Sequence, residues 1–94
     1  MGRIADILQL RGDLDEALRI RREEALPVYE RLGDVRALLV GRVYLAFILK
    51  QRGKPEDGPE IERLMRQALA DARRLRIPEA EQIQGFMREM GIAP

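Results

Sequence analysis

Two glycine–aspartate pairs, Gly12-Asp13 and Gly33-Asp34, and a Gly53-Lys54-Pro55-Glu56-Asp57-Gly58-Pro59 break cut this chain into segments of helix length. Glycine adopts the left-handed conformation that ends a helix, and the aspartate after it can accept from the free amides that begin the next. Glu16, three residues beyond Asp13, completes a capping box with Asp in place of Ser. Pro59 and Pro78 suit first helical positions, and Gly91 is a final stop. Five helices are expected, at about 3–11, 13–32, 35–52, 59–76 and 78–90. Ala, Leu, Ile, Arg and Glu dominate the composition and favour helix, so the fold class read from the residues is all-α.

The apolar spacing agrees. Leu14, Leu18, Ala25, Val28, Tyr29 and Leu32 follow one helical stripe; Ile61, Leu64, Met65, Ala68, Ala72 and Leu75 follow another. The polar faces carry acid-first pairs four apart, Asp15–Arg19 and Glu62–Arg66. The segment 35–52 is apolar almost all round, which places it in the middle of the stack. Pro27 removes a backbone donor within 13–32, so a kink or break is expected near residues 23–27.

The pattern also repeats. Ala5-x-x-Leu8-x-x-Arg11-Gly12 matches Ala46-x-x-Leu49-x-x-Arg52-Gly53 at an offset of 41, and Ala25-Leu26 with Leu32 matches Ala68-Leu69 with Leu75 at 43. The unit is a helix, a tight turn and a second helix, seen twice, with a closing helix after it. Stacked units of this kind form a helical solenoid within one domain of residues 1–94.

These residues resemble the tetratricopeptide repeat. Ala5, Leu8, Gly12 and Ala17 fall at that family's small, large, turn-glycine and small positions, and Arg11-Gly12-Asp13-Leu14-Asp15-Glu16-Ala17-Leu18 is similar to its inter-helix turn. Ala46, Leu49 and Gly53 repeat the first half, and Leu32-Gly33-Asp34 looks like the link of a longer-period bacterial variety. Departures are the insertion at Lys54–Pro59, which leaves no small residue as the counterpart of Ala17, and Pro27 inside a second helix. HEAT-type repeats share the period but not this turn. The resemblance implies an α-solenoid of antiparallel helix pairs, 3–32 and 35–76, capped by 78–90. Because the chain enters about halfway through a repeat, it looks like the C-terminal end of a longer array, and an apolar edge left open there implies a homodimer joined through helices 1–3.

Composition removes most chemistry. There is no Cys, His, Ser, Thr, Asn or Trp, so nucleophilic catalysis by Ser, Thr, Cys or His and the usual zinc and haem sites are excluded, and no cofactor is expected. The pairs Asp13/Asp15, Glu23/Glu24 and Glu79/Glu81 read as caps and solvated faces, and Met65, Met87 and Met90 as core fillers. Net charge is +1, but residues 35–54 carry five cations and no acid. Sixteen acids in the chain argue against a nucleic-acid face. The run Leu38–Leu49 contains Arg42 and is too short to span a bilayer, so a cytoplasmic, non-membrane protein is expected.

The function expected is therefore a non-enzymatic scaffold that binds another protein. In the family it resembles, partners lie in the groove lined by the first helix of each pair. Position by position, the resemblance gives Asp6 and Gln9 from the first helix, Val43, Phe47 and Lys50 from the third, and Glu81, Gly85 and Arg88 from the fifth. Asp6 and Phe47 stand where that family's carboxylate clamp has asparagines, which disfavours that mode. The rival reading is a purely structural, self-associating cap of a longer array with no ligand of its own, with Val43 and Phe47 as core or dimer-contact residues.

Overall fold

The computed structural model describes residues 13–93, which are helical with no strand among them. The expected helix at 3–11, and with it Asp6 and Gln9, lies outside the described residues. The segment 13–32 is not one helix. It is α1 (Leu14–Ile20), a π-helical turn (Arg21–Ala25) and α2 (Leu26–Leu32), followed by α3 (Val35–Arg52), a 3₁₀ turn (Pro55–Asp57), α4 (Gly58–Leu75) and α5 (Glu79–Glu89).

Pro27 explains the π turn. A straight helix would ask it for a donor it lacks and would press its ring on the preceding turn. Widening the winding lets Leu26 N–H reach the carbonyl of Arg21, five residues back, and leaves Pro27 in the first turn of α2, where no donor is needed. The extra residue also rotates one half of the rod against the other. Ala17, Leu18 and Ile20 are buried before the turn, and Arg21 and Ala25 at its two ends. Leu32, on the straight stripe expected from the sequence, is 73% exposed.

Caps form selectively. Asp34 accepts from Ala37 N–H at 3.0 Å, capping α3. Asp13 makes no side-chain cap, and the Glu16 carboxylate accepts from Arg19, with contacts of 2.5 and 3.1 Å. That contact replaces the expected Asp15–Arg19 pair; Asp15 reaches Arg52 at 3.1 Å. Glu62–Arg66 forms at 2.7 Å. The helix ends at 32 and 75 are the same motif. Asp34 N–H donates to Tyr29 O and Gly33 N–H to Glu30 O; Ile77 N–H donates to Ala72 O and Arg76 N–H to Arg73 O. Gly33 (φ 66°) and Arg76 (φ 56°) both take the left-handed conformation, 43 residues apart.

The helices run up and down. Asp15–Arg52, Arg21–Tyr44 and Leu26 against Gly41 set the α1–α2 rod antiparallel to α3. Arg52–Asp57 at one end and Arg42–Asp71 along the pair set α3 antiparallel to α4. Arg22–Glu60, at 2.6 Å, ties the rod to α4 alongside it. Helix α3 is central and buries Leu39, Gly41, Val43, Leu45, Ala46, Ile48 and Leu49, directions that span roughly 220° of its circumference and leave the Val40–Tyr44–Phe47 face less covered. Gly41 is where α2 comes closest: a Cβ there would lie 2.7 Å from Leu26 Cδ2. Helix α4 packs its one apolar face, Ile61, Leu64, Met65, Ala68, Leu69 and Ala72; Leu75, expected in that stripe, is 40% exposed at the helix end. Burying side chains such as Leu39, Ile48 and Leu49 stabilises the fold by about 1.5–3 kcal/mol each. Among the described residues no helix is long and apolar enough to cross a membrane, and no group of three or more acidic residues could hold a metal ion.

Candidate docking site between α3 and α5

Helices α3 and α5 lie side by side and run the same way. Arg36 meets Glu79 at 2.8 Å, Phe47 meets Phe86, and Lys50 shares the next hollow with Met90. Between the first two contacts is an open hollow of about 210 Å³. Its α3 wall is Leu39, Val40, Val43, Tyr44 and Phe47; its α5 wall is Glu79, Gln82, Ile83 and Phe86. Leu39, Val43 and Ile83 are buried and form the floor, while Tyr44 is exposed at the edge.

The rings hold one another in place. Phe47 and Phe86 meet edge to face with centroids 4.9 Å apart at 89°, and Tyr44 and Phe47 stand 6.4 Å apart at 61°. This geometry sets the positive edge of one ring against the negative face of the next. At the upper end the Arg36–Glu79 ion pair closes the space between the two helices. The result is an apolar recess with an ionic rim. Its ionisable lining groups are Tyr44 and Glu79, the latter paired with Arg36. At about 210 Å³ it is smaller than the roughly 300–1,000 Å³ of typical small-molecule pockets, and its size suits one inserted side chain.

The sequence-derived site residues divide. Val43 and Phe47 line the hollow. Lys50 is exposed one turn further along, at the edge of a second hollow with Gly58, Pro59, Ile61, Glu62, Met90 and Ile92. Glu81 and Arg88 are exposed and, like Gly85, are not among the lining residues. At 100° per residue they point away from Ile83 and Met87, the buried side of α5, whereas Glu79, Gln82 and Phe86 face α3. Leu39, Val40, Tyr44, Glu79, Gln82, Ile83 and Phe86 are thus the lining residues that sequence reasoning missed. Phe86 beside Met87 carried a signal, since two large apolar neighbours on one helix cannot both face the same core.

The charge of α3 is mostly spent internally. Arg36 pairs with Glu79, Arg42 with Asp71 at 2.9 Å, and Arg52 makes a bidentate contact with buried Asp57 at 2.8–3.0 Å. Asp57 and Asp15 raise the Arg52 pKa further above its ordinary value, chiefly through these hydrogen bonds. Lys50 and Lys54 remain exposed. With three of the five cations engaged by acids of neighbouring elements, no continuous basic face arises from α3.

No protein-family model, curated protein or solved structure matches the chain.

Proposed function

We propose that this chain is a non-enzymatic, tetratricopeptide-like helical repeat module whose α3–α5 hollow docks an apolar side chain of a partner polypeptide. The observation that carries the reading is the aromatic-walled recess itself, set between two parallel helices on a surface otherwise laced with ion pairs. One anchor side chain enters the hollow, and the segment that bears it lies along the α3–α5 seam. From Arg36 to Lys50 the seam is fourteen residues of helix, roughly 21 Å. Exposed Lys50 at its far end favours a carboxylate on the partner, so the fitting segment is an apolar anchor with an acidic neighbour.

The repeat reading is supported by the matched left-handed helix ends at Gly33 and Arg76 and by burial. Ala25 and Ala68, 43 apart, are both buried. Ala17, Ile20 and Arg21 match Ile61, Leu64 and Met65 at 44, the π turn absorbing the difference of one residue.

The test is selection of short random peptides displayed on phage against the immobilised protein. Peptides pairing a bulky apolar residue with an acid are expected, and the variant Phe47→Ala with Lys50→Glu should lose them. Equal recovery on that variant would discard the reading.

A second reading, self-association as a homodimer without a ligand, is favoured by Leu32 and Val35, exposed together at the α2–α3 turn. Molar mass by light scattering separates the two: a dimer that Leu32→Glu dissociates would support self-association.

A further inference from the structure

The chain of rings that walls the hollow continues past α3 into the π turn. Phe86 meets Phe47, Phe47 meets Tyr44, and the Arg21 guanidinium carbon lies 4.8 Å from the centroid of the Tyr44 ring. Arg21 opens the π turn and is 3% exposed. It does not line the hollow, so it supports Tyr44 from behind. Arginine is rarely buried to this degree, because its charge loses solvation. Its burial counterpart on α4, 44 residues on, is Met65, fully buried, so the charge at this position is particular to the rod. Straightening the π turn would remove one residue of winding and turn Arg21 by about 100° relative to α2, away from the Tyr44 ring. Tyr44, by contrast, is 43% exposed and would be free to swing if nothing stacked on it.

Resting on the docking reading above, we infer that Arg21 is a positioning residue for the hollow: the π turn places its guanidinium behind Tyr44, and the stack holds that ring as a fixed wall. The recess is therefore formed before a partner arrives, and binding does not have to order the ring. The exposed edge of Tyr44 meets the anchor, and Arg21 acts on the hollow through that ring.

The experiment uses the full chain with two readouts. The first is nuclear magnetic resonance of the free protein, where wild type should show proximity between the Tyr44 and Phe47 rings and upfield-shifted Arg21 methylenes. The second is binding of Nile red, a neutral apolar probe that takes no part in charge pairing. Arg21→Met should keep helicity, lose the Tyr44–Phe47 proximity and weaken Nile red binding about tenfold, the scale of a desolvated cation–ring contact. Arg21→Lys keeps a cation and should recover most of the affinity, leaving a loss of about threefold. In a Tyr44→Leu background neither Arg21 variant should weaken binding further.

Undiminished ring proximity in Arg21→Met with affinity within about twofold of wild type would overturn the inference, as would a wild type that shows no saturable binding. Should Arg21→Met fail to fold, the cycle runs on Arg21→Lys, and full additivity with Tyr44→Leu overturns it. An intact ring signature in a wild type that selects no peptides counts against the docking reading alone.

Discussion

Arg76 sits in the left-handed conformation (φ 56°, ψ 42°) that ends α4, in the place where the first copy of the motif has Gly33. For a residue with a Cβ this conformation costs about 1–2 kcal/mol. Arg76→Gly removes that strain and returns about 0.5–1 kcal/mol through the greater freedom of glycine in the unfolded chain. The net gain expected is about 0.5–1 kcal/mol, or a rise of about 3–6 °C in Tm for a domain of this size. Arg76→Ala keeps the Cβ and should give no gain, which separates backbone strain from loss of the side chain. The reverse change is equally informative. A Cβ at Gly33 meets nothing within 4 Å, so Gly33→Ala should cost about 1 kcal/mol through conformation alone. Urea titrations with unchanged m-values, read by circular dichroism, measure each difference. If Arg76→Gly were neutral or destabilising while Gly33→Ala cost nothing, the shared strained cap would be refuted.

Two further outcomes follow from the ion pairs. Arg52→Met leaves Asp57 buried without its bidentate partner and should destabilise by about 3 kcal/mol, most of it recovered when Asp57→Leu is added; urea unfolding reads both. Glu16 has its pKa lowered from the ordinary 4.5, first by its hydrogen bond from Arg19. Its folded-state pKa is the depressed one, so its contribution is present above about pH 4.5 and lost as pH falls through the lowered value. A carboxyl titration by nuclear magnetic resonance should show this midpoint below 4.5 and its return in Arg19→Met; an ordinary midpoint in wild type would contradict it.

Helix ends were the most legible part of the chain because they are local events. Asp34 and Gly53 bound α3 at the expected residues, and Pro59 opens α4 within one residue of its expected start. Pro27 marked the right region, but a kink and a π turn both answer a missing donor, and sequence does not choose between them. That choice matters, since the added residue moved the buried stripe onto Ala17, Ile20 and Arg21 and left Leu32 in water. At Asp13 the expected cap does not form, and the Glu16 carboxylate pairs with Arg19 one turn away. Gly41 lay unremarked inside an apolar run, although a glycine in mid-helix signals close approach, here by Leu26 and Tyr29.

The site was half legible for a similar reason. Val43 and Phe47, given by the resemblance, line the hollow because they lie on the side of α3 turned toward α5. On α5 the face turned toward α3 depends on how the helix rolls, and Ile83, Phe86, Met87 and Met90 span too wide an arc to fix that roll from the sequence. Glu81 and Arg88, given by the resemblance, consequently lie on the exposed face of α5 and do not line the hollow.

That difference supplies the most direct test of the docking account. A photo-crosslinking amino acid is placed at Gln82 in one protein and at Arg88 in another, and each is irradiated with a peptide selected on the wild type. Adducts from position 82, lost with Phe86→Ala, are the expected result; adducts from position 88 and none from 82 would contradict the account.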